Sequence, residues 1–364
     1  MSVTSLEDGL LKKNLRFGLV GCGRIGARHA ALLSQKKIPN AELVAVCDTN
    51  EARAQQFANE YSAKAYTKLE EMLAAEQLDV LSILTPSGLH SEHTIQSAPY
   101  VANIVVEKPM ALTIKDADAM IECCDAHSTR LFVVKQNRFN MPVRKLRRTI
   151  DQGRFGKIFL GTTRVRWTRN QSYYDQDKWR GTWKLDGGVL ANQASHHIDL
   201  LLWMMGDVDS VFARSTTDFV DVEVETTAIV SLKFSSGALG LIEATTAARP
   251  VNIEGSLSIL GEKGSAVVGG FAVNKIDVWK FEDPIPEEDD EINDLNTDPP
   301  DVYGFGHKVY YEHVIKCIRE NGPNLVDGLE GRRSLELISA IYESIETGTE
   351  VNLRFQPKHS RLGL

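Results

Sequence analysis

The sequence of 364 residues has few cysteines, no surplus of positive charge and no long uninterrupted apolar run. Its five cysteines are odd in number and lack metal-ligand spacing, which predicts reduced, mostly buried thiols in a reducing compartment. The 41 basic residues are outnumbered by 49 acidic ones, which argues against a nucleic-acid surface. Residues 1–13 lack the apolar core of a signal peptide, and later apolar runs are too short to span a bilayer. We therefore expect a soluble, cytoplasmic protein that binds neither nucleic acid nor membrane.

The length, about twice that of a usual single domain, predicts two domains. Residues 1–137 alternate short β-type runs with helical apolar spacing, which predicts a doubly wound parallel sheet of the Rossmann type. Within this part, Thr113 is expected to cap a helix that runs to about His127. The expected fold class is α/β for this domain, followed by an α+β domain.

Residues 138–364 carry longer β-type stretches, which predict a large open, mostly antiparallel sheet. Short turns at Ser235-Ser-Gly237 and Gly261-Glu-Lys-Gly264 predict that consecutive strands pair as a meander. Between Glu282 and Asp301, ten acids and four prolines predict a surface excursion. The strands are expected at Ile158–Thr168, Val208–Thr217, Thr226–Phe234, Ala238–Thr246, Ser256–Leu260 and Lys275–Phe281.

A glycine fingerprint, Gly21-Cys-Gly-Arg-Ile-Gly26, follows the first predicted strand. Gly21 permits a tight turn, Gly23 lets the backbone approach a pyrophosphate, and Gly26 lets the next helix lie close to the strand. About twenty residues later Asp48 ends the second predicted strand, where an acid binds the ribose hydroxyls of NAD and repels the phosphate of NADP. Arg53 lies close in sequence and keeps NADP as an alternative. From this turn the expected cofactor residues are Gly21, Gly23, Arg24, Ile25 and Gly26.

Two further segments follow predicted strands of the first domain. Glu107-Lys108-Pro109 closes the run Asn103–Val106, and Thr85-Pro86-Ser-Gly-Leu-His90 follows the run Asp79–Leu84. Ligands of open parallel sheets bind beyond the carboxyl ends of the strands, so we predict that Thr85, Pro86, His90, Glu107 and Lys108 contact the cofactor. The alternative for the loop is a simple turn with a capping or surface histidine.

A helix of the second domain is predicted to open at Gly187-Gly188. Asn192, His196 and Asp199 follow at spacings of four and three, so they can share one helical face. A histidine titrates in the range needed to accept the hydroxyl proton of an alcohol while hydride leaves, and a desolvated lysine can polarise the oxygen. We therefore predict Lys108 and His196 as catalytic residues with Asn192, and His197 and Asp199 as structural ones. Adjacent helical histidines diverge by about 100°, so no metal site is predicted.

These motifs resemble those of the glucose-fructose oxidoreductase, inositol dehydrogenase and rhizopine-catabolism (Gfo/Idh/MocA) superfamily over nearly the whole chain. The resemblance is carried by the fingerprint, the Thr85-Pro86 loop with His90, the Glu107-Lys108-Pro109 tripeptide and the Asn192-x-x-x-His196 pair. Many members have aspartate at the position of Asn192. The resemblance therefore implies that Asn192 positions other groups and is neither acid nor base.

Within this superfamily the chain resembles the UDP-N-acetylglucosaminuronate 3-dehydrogenases of bacterial surface-polysaccharide synthesis. The resemblance implies oxidation at C3 of the sugar by NAD in O-antigen (lipopolysaccharide) biosynthesis, with a downstream aminotransferase that uses the product. It also implies a homotetramer built through the sheets. The segments that carry it are Val133-Val-Lys-Gln-Asn-Arg138, Trp167-Thr-Arg-Asn-Gln-Ser-Tyr-Tyr174, Trp179-Arg-Gly-Thr-Trp183, Asn192-Gln-Ala-Ser-His196 and Tyr303-Gly-Phe-Gly-His307.

Cationic and aromatic residues near the predicted site suit such a substrate, because guanidinium groups bind diphosphates or carboxylates and aromatic rings stack on uracil or sugar faces. Such residues on a sheet also serve as surface pairs or oligomer contacts. An unphosphorylated polyol or sugar such as myo-inositol stays open as the substrate, and so does a non-catalytic NAD-binding regulator. The predicted substrate-binding residues are Arg166, Arg169, Tyr174, Trp179, Arg180 and Gln193.

Overall fold

The structure is a computed structural model that describes residues 14–34, 37–286, 292, 295–296 and 304–353. In this part of the chain, six parallel strands form one sheet in the order β3-β2-β1-β4-β5-β6. The order in which strands are added reverses between β1 and β4, and open α/β sheets bind ligands at such a reversal. The strands are β1 (Leu15–Val20), β2 (Ala41–Cys47), β3 (Lys64–Tyr66), β4 (Val80–Ile83), β5 (Asn103–Val106) and β6 (Arg130–Val133). The predicted Rossmann sheet is confirmed.

Helices connect these strands, and side-chain caps define where two of them begin. The Thr113 side chain accepts a hydrogen bond from Asp116 N, and the helix then runs to Ala126, as predicted. Asn50 caps the second helix in the same way through Arg53 N. Strands β4 and β5 are buried along their whole length, which explains why they are apolar except at Ser82 and Asn103. The helices are α1 (Arg24–Ser34), α2 (Glu51–Tyr61), α3 (Leu69–Ala75), α4 (His90–Ser97) and α5 (Ile114–Ala126).

A second sheet of eight strands, counted over the described residues, has the order β13-β12-β11-β7-β10-β9-β8-β14. Its neighbours are antiparallel except β7 and β10, which run parallel. The predicted open, mostly antiparallel sheet is confirmed. The strands are β7 (Ile158–Arg166), β8 (Val208–Thr216), β9 (Thr227–Phe234), β10 (Leu239–Thr245), β11 (Glu254–Gly261), β12 (Gly264–Gly269), β13 (Lys275–Phe281) and β14 (Val351–Asn352).

The predicted meander holds for β8-β9-β10 and for β11-β12-β13, including both predicted hairpin turns. It is wrong between β10 and β11, because β7 inserts between these two strands and pairs with both. Strands β3, β12 and β14 were not predicted. They are short, and β12 is rich in glycine, so their sequences have weak strand signals. Most of the acidic segment from Glu282 to Asp301, and residues 1–13, lie outside the described residues.

One face of the second sheet is covered by a helix. In β7, residues 161, 163 and 165 are buried and alternate with more accessible ones. Gly161 lies against Leu201 and Met205, so that even one added methyl group would crowd the Met205 sulfur at 2.7 Å. The remaining helices are α6 (Met141–Asp151), α7 (Gln171–Tyr174), α8 (Ser195–Met205), α9 (Gly306–Arg319) and α10 (Gly328–Thr347).

Helix α9 returns to the first sheet. Tyr310, Tyr311 and Val314 belong to the same apolar core as Phe17 of β1. The Tyr311 ring packs edge-on against Phe17 at 5.8 Å, and its hydroxyl lies 3.0 Å from Ser82 Oγ in β4. The C-terminal segment therefore helps to build the first layer. The domain boundary after residue 137 stays a prediction.

All five cysteines lie in the described residues and are free thiols, and four of them are buried, as predicted. Burial raises the pKa of Cys22 and of Cys47 to about 12, so both are protonated at neutral pH. Over the described residues, no helix is both long and apolar enough to cross a membrane.

A buried ion-pair network joins the end of the first sheet to α8. Arg138 donates to both carboxylate oxygens of Asp199 at 2.8 Å, and Lys135 Nζ lies 3.3 Å from the same carboxylate. Burial alone would raise the pKa of Asp199, but the charges of Arg138 and Lys135 outweigh it and lower the pKa to about 2. Asp199 is therefore ionised and structural.

Replacement Asp199→Asn should lower the free energy of unfolding by about 3 kcal/mol, because Lys135 loses its paired carboxylate and Arg138 keeps only Glu330 as a counter-charge. The stabilisation by Asp199 is present above its unfolded-state pKa of about 4 and is lost as the pH falls through about 2. Urea unfolding at several pH values measures this. The control Asp151→Asn removes an exposed pair with Arg147 and should change stability by less than about 0.5 kcal/mol. Equal effects of the two variants would refute the assignment.

Candidate active site

A cavity of about 1340 Å³ lies at the carboxyl ends of β1, β2, β4 and β5 and is bounded on its other side by the second domain. All predicted site residues lie in the described part of the chain, and three of them, Gly26, Arg166 and Tyr174, do not line the cavity. The predicted residues that line it are Gly21, Gly23, Arg24, Ile25, Asp48, Thr85, Pro86, His90, Glu107, Lys108, Arg169, Trp179, Arg180, Asn192, Gln193 and His196.

The glycine turn leaves room for the phosphates of a dinucleotide. Gly21 has φ +103°, and a Cβ there would lie 2.6 Å from the Leu84 backbone. A Cβ at Gly26 would collide with the carbonyl oxygen of Gly21, so helix α1 can pass this close to β1 only with glycine. A Cβ at Gly23 would meet no protein atom within 4 Å. The turn thus has two glycines required by the fold and one that faces open space, which fits a bound pyrophosphate.

Asp48 stands at the end of β2 with a fixed carboxylate. Its Oδ2 accepts a hydrogen bond from Cys22 N and its Oδ1 accepts one from Asn50 N, both at 2.8 Å. This orientation fits a carboxylate that receives the ribose hydroxyls of NAD. Arg53 lies at the same end of the cavity, with its guanidinium 3.7 Å from Asp177 of the second domain.

The His90 ring connects two cofactor loops through their backbones. Its Nδ1 lies 2.8 Å from the carbonyl oxygen of Pro109, and its Nε2 lies 2.8 Å from that of Thr85. The ring is buried, and burial lowers its pKa. Both nitrogens are therefore directed at the protein. A direct contact of His90 with the cofactor stays a prediction, while its effect on the shape of the loops follows from these distances.

Glu107 lies in a buried cluster behind Lys108. Its Oε2 accepts from Lys108 N at 2.9 Å, and its Oε1 lies 3.1 Å from His29 Nε2 and 3.7 Å from His307 Nε2. His29 Nδ1 in turn lies 2.6 Å from the Tyr311 hydroxyl. Burial would raise the pKa of Glu107, but the hydrogen bond with His29 and the nearby His307 ring lower it well below its usual value. This cluster was not predicted from the sequence. Among the described residues it is the one set of three or more His, Cys, Asp or Glu side chains whose possible metal-ligand atoms all lie within 4.8 Å of one another.

Lys108 crosses the cavity to the second domain. Its Nζ donates to the backbone oxygen of Asn192 at 2.9 Å and to the side-chain Oδ1 at 3.2 Å. Burial lowers the pKa of Lys108, and the charges of Glu107 and Asp186 oppose that shift. Lys108 is thus a hydrogen-bond donor at the cavity wall, where it can polarise a bound hydroxyl group.

The predicted continuous helix from Gly187 to Asp199 is wrong. Residues Val189–Gln193 form a π-helical turn, and helix α8 begins only at Ser195. Gly187 has φ +80°, and the Glu225 carboxylate accepts from Leu190 N at 3.0 Å, so the entry to the turn is held from outside. The wider turn leaves the Asn192 carbonyl oxygen available to Lys108.

His196 and Asn192 line the same cavity, whereas Asp199 does not line it and pairs with Arg138. His196 and Asp199 lie three residues apart on α8, so the expectation that all three share one helical face is wrong for Asn192, which lies in the π-helical turn before this helix. The Gln136 side-chain nitrogen lies 2.9 Å from His196 Nε2 and donates to it, so this ring nitrogen is unprotonated. Burial, and then the charge of Lys108, lowers the pKa of His196 well below its usual value. His196 is thus a neutral ring with an acceptor nitrogen.

On the second-domain side, two arginines lie over aromatic rings. The Arg169 guanidinium is 5.4 Å from the Trp167 ring centre and 5.1 Å from that of Tyr173. Arg180 lies 4.6 Å from the Trp179 ring centre, and it donates to the Tyr173 hydroxyl at 2.8 Å. The rings hold both guanidinium groups at the cavity wall, where an anionic group can bind them.

Arg166 and Tyr174 lie elsewhere. Arg166 donates to the Glu243 carboxylate at 2.6 and 2.8 Å and to Glu254 at 3.3 Å, in an ion-pair group on the accessible face of the second sheet. Tyr174 is buried, with its hydroxyl 3.3 Å from Thr246 Oγ1. The structure does not bring these two residues to the cavity. Their part in substrate binding stays a prediction that the geometry does not support.

Two family models match this chain, and between them they span both sheets. One, described as an oxidoreductase family with an NAD-binding Rossmann fold, matches residues 15–135, and the other, its C-terminal alpha/beta domain, matches residues 147–353. The chain belongs to the Gfo/Idh/MocA oxidoreductase family. The predicted superfamily, the enzyme class and the cofactor NAD are thereby confirmed.

Solved structures and curated relatives in the family cover nearly the whole chain. The WlbA dehydrogenase from Bordetella pertussis, in complex with NADH and UDP-GlcNAcA, is 45% identical, with a TM-score of 0.90 over 94% of this chain and 99% of that one. The WlbA dehydrogenase from Chromobacterium violaceum is 43% identical, with a TM-score of 0.89 over 95% and 97%. The myo-inositol 2-dehydrogenase of Thermotoga maritima is 28% identical over 93% of this chain and 98% of its own length.

The glycine turn yields a paired test of cofactor binding. We expect Gly23→Ala to fold like the wild type, because its Cβ meets no protein atom, but to weaken NAD binding at least about tenfold by filling the phosphate space. Gly26→Ala should instead lower the free energy of unfolding by about 1–3 kcal/mol through its collision with Gly21. Calorimetric NAD titration and urea unfolding separate the two effects. Unchanged NAD affinity in Gly23→Ala would contradict this assignment of the turn.

Proposed function

We propose that the protein oxidises the C3 hydroxyl of UDP-N-acetylglucosaminuronic acid with NAD and releases a 3-keto nucleotide sugar. The observation that carries this proposal is the composition of a single cavity. Lys108 and His196 offer a donor and an acceptor for a reacting hydroxyl group. Arg169 and Arg180 provide positive charges on the wall of the same cavity. A substrate with both an alcohol and a charged diphosphate or carboxylate uses both features. The 45% identity to a dehydrogenase solved with UDP-GlcNAcA supports the same substrate.

In the proposed mechanism the glycine turn and Asp48 hold NAD, which supplies the acceptor for the hydride that leaves C3. The hydroxyl proton must leave as the carbon–oxygen double bond forms, and His196 Nε2 accepts it once the substrate hydroxyl has replaced the Gln136 amide at this nitrogen. Lys108 Nζ donates a hydrogen bond to the oxygen as negative charge develops there. Asn192 holds Lys108 from the other side of the cavity. Burial and then the positive charge of Lys108 lower the pKa of His196, so the protonation of the ring depends on that of the lysine.

The proposed biological setting is bacterial surface-polysaccharide synthesis, namely O-antigen or lipopolysaccharide assembly. In that setting the 3-keto product passes to an aminotransferase, and the enzyme works in the cytoplasm as a homotetramer formed through its open sheets. The accessible sheet face carries large apolar side chains, including Ile229 and Leu239, each 58% exposed, which supports such an assembly.

A second candidate is the same oxidation of an unphosphorylated polyol such as myo-inositol. It is favoured by the myo-inositol 2-dehydrogenase of Thermotoga maritima, which matches this chain over 93% of its length. In that case Arg169 and Arg180 would serve the structure of the cavity wall. A regulator without catalysis is the third candidate, and the meeting of Lys108 with Asn192 beside His196 argues against it.

Turnover with candidate substrates separates these proposals. Purified protein with NAD should form NADH, read by its near-ultraviolet absorbance, with UDP-N-acetylglucosaminuronic acid and not with UDP-N-acetylglucosamine or myo-inositol. The reaction is run with and without 2-oxoglutarate, so that a cofactor retained after the first turnover is also detected. Replacement Arg180→Ala should raise KM for the uronate about tenfold or more, because one cation is lost. NADH formation with myo-inositol alone would move the function to polyol oxidation.

Replacement Lys108→Ala should reduce kcat by about 10²- to 10⁴-fold, because the donor to the developing alkoxide is removed. NAD affinity should change little, since the glycine turn and Asp48 are untouched. Stopped-flow turnover and NAD titration measure the two quantities. Lys115→Ala, which removes an exposed lysine of α5, is the matched control and should behave like the wild type. Near-normal turnover of Lys108→Ala would exclude its catalytic role.

A further inference from the structure

We propose that Asp186, which does not line the cavity, is a positioning residue that orients Lys108 through the Asn192 amide. The inference rests on the proposed function, in which Lys108 donates to the substrate oxygen. Sequence reasoning did not single out Asp186, because it lies six residues before Asn192 and outside any recognised motif. The turn between them brings the two side chains into contact.

The hydrogen bonds that connect Lys108, Asn192 and Asp186 all have the same donor-to-acceptor direction. Lys108 Nζ donates to Asn192 Oδ1 at 3.2 Å, and Asn192 Nδ2 donates to Asp186 Oδ1. The second carboxylate oxygen of Asp186 accepts from Gly181 N at 2.7 Å. Asp186 is 1% exposed, so water does not compete for these bonds. One buried carboxylate is therefore connected to the Lys108 ammonium group through one amide.

The donor–acceptor direction of these hydrogen bonds explains why position 186 needs a carboxylate. An ionised carboxylate only accepts hydrogen bonds, so Asp186 fixes the Asn192 amide with Nδ2 toward itself and Oδ1 toward Lys108. A residue with a donor at position 186 would face a donor of Asn192. The amide would then turn over and present Nδ2 to the Lys108 ammonium group, which cannot accept. The hydrogen bond from Lys108 to Oδ1 would be lost.

Charged groups on several elements surround this series of hydrogen bonds. Lys108 faces Glu107, Asp186, Lys135, Arg169 and the ring of His196. Asp186 faces Arg180, Lys108 and the buried Glu225. Among these groups Asp186 and Glu107 raise the pKa of Lys108, while burial, Lys135 and Arg169 lower it. Loss of the Asp186 charge therefore moves the deprotonation of Lys108 to lower pH.

A role in stability alone does not account for Asp186. Burial raises its pKa above the usual value, so the folded state binds its proton more tightly than the unfolded state. A group of this kind lowers the free energy of unfolding as the pH rises above its unfolded-state pKa. Its ionised form therefore still destabilises the folded state at neutral pH. Removing the charge thus relieves a desolvation penalty. Variant Asp186→Asn keeps the size of the side chain and the bond from Gly181 N, so we expect it to fold.

The test is the pH profile of kcat and kcat/KM for Asp186→Asn. We expect kcat to fall about 10- to 100-fold, since a small displacement of a catalytic donor has effects of this size, with NAD affinity unchanged. The alkaline limb, where Lys108 loses its proton, should move to lower pH. Asp175→Asn makes the same change at an exposed position of the same segment and should leave both properties as in the wild type.

A donor–acceptor exchange separates positioning from a purely structural effect. In Asp186→Asn/Asn192→Asp, the carboxylate at 192 accepts from Lys108, and the amide at 186 donates to that carboxylate while its oxygen accepts from Gly181 N. We expect the double variant to recover at least about tenfold of the lost kcat. No recovery, together with a pH profile of the single variant like that of the wild type, would overturn the proposal.

A readout without substrate keeps this test independent of the proposed function. The pH dependence of Lys108 acetylation by acetic anhydride, followed by mass spectrometry, reports its deprotonation directly. The midpoint should be lower in Asp186→Asn than in the wild type and in Asp175→Asn. If the wild type oxidises none of the tested alcohols, the proposed function fails while this midpoint still decides the inference. Equal midpoints would exclude an effect of Asp186 on Lys108.

Discussion

The hydrogen bonds from Lys108 Nζ to Asn192 are the interaction on which the rest of the site depends. They join the end of β5 in the parallel sheet to the π-helical turn before α8, two segments 84 residues apart. The cavity lies around this connection, with the glycine turn and Asp48 on one side and the arginine–aromatic wall on the other. Lys108 comes from one domain and the His196 ring from the other, so neither domain alone brings both side chains to the cavity.

The buried charges around the site serve different purposes. Asp199 pairs with Arg138 and Lys135, Glu330 also pairs with Arg138, and the lowered pKa of Asp199 means that its ionised form favours the folded state. Burial raises the pKa of Asp186 and that of Glu225, the latter to about 7. The ionised forms of these two groups therefore destabilise the folded state. Unfavourable burial of a carboxylate such as Asp186 near Lys108 is the pattern expected where geometry and charge serve chemistry more than stability.

The sequence predicted the parts of the fold and site that have strong local patterns. The glycine turn, Asp48, the cap at Thr113 and the buried strands β4 and β5 follow from spacing and periodicity, and the family motifs drew attention to Lys108, Asn192 and His196. Contacts set by tertiary structure could not be predicted. These include the insertion of β7 between β10 and β11, the bond from Gln136 to His196, and the link from Asp186 to Asn192. Arg166 illustrates the reverse error, because its sequence position beside Trp167 does not reveal that alternate residues of β7 face opposite sides of the sheet.

The return of α9 to the parallel sheet has a consequence for the order of events during synthesis. Phe17 and Ser82 emerge early from the ribosome, but Tyr311, which packs on one and lies within hydrogen-bond distance of the other, is made almost three hundred residues after Phe17. Until then the nucleotide-binding sheet has an uncovered apolar surface, and the contacts that cover it are among the most distant in the chain. The first domain therefore completes its core only after most of the second has been made, and exposed apolar surface of this kind favours aggregation until then.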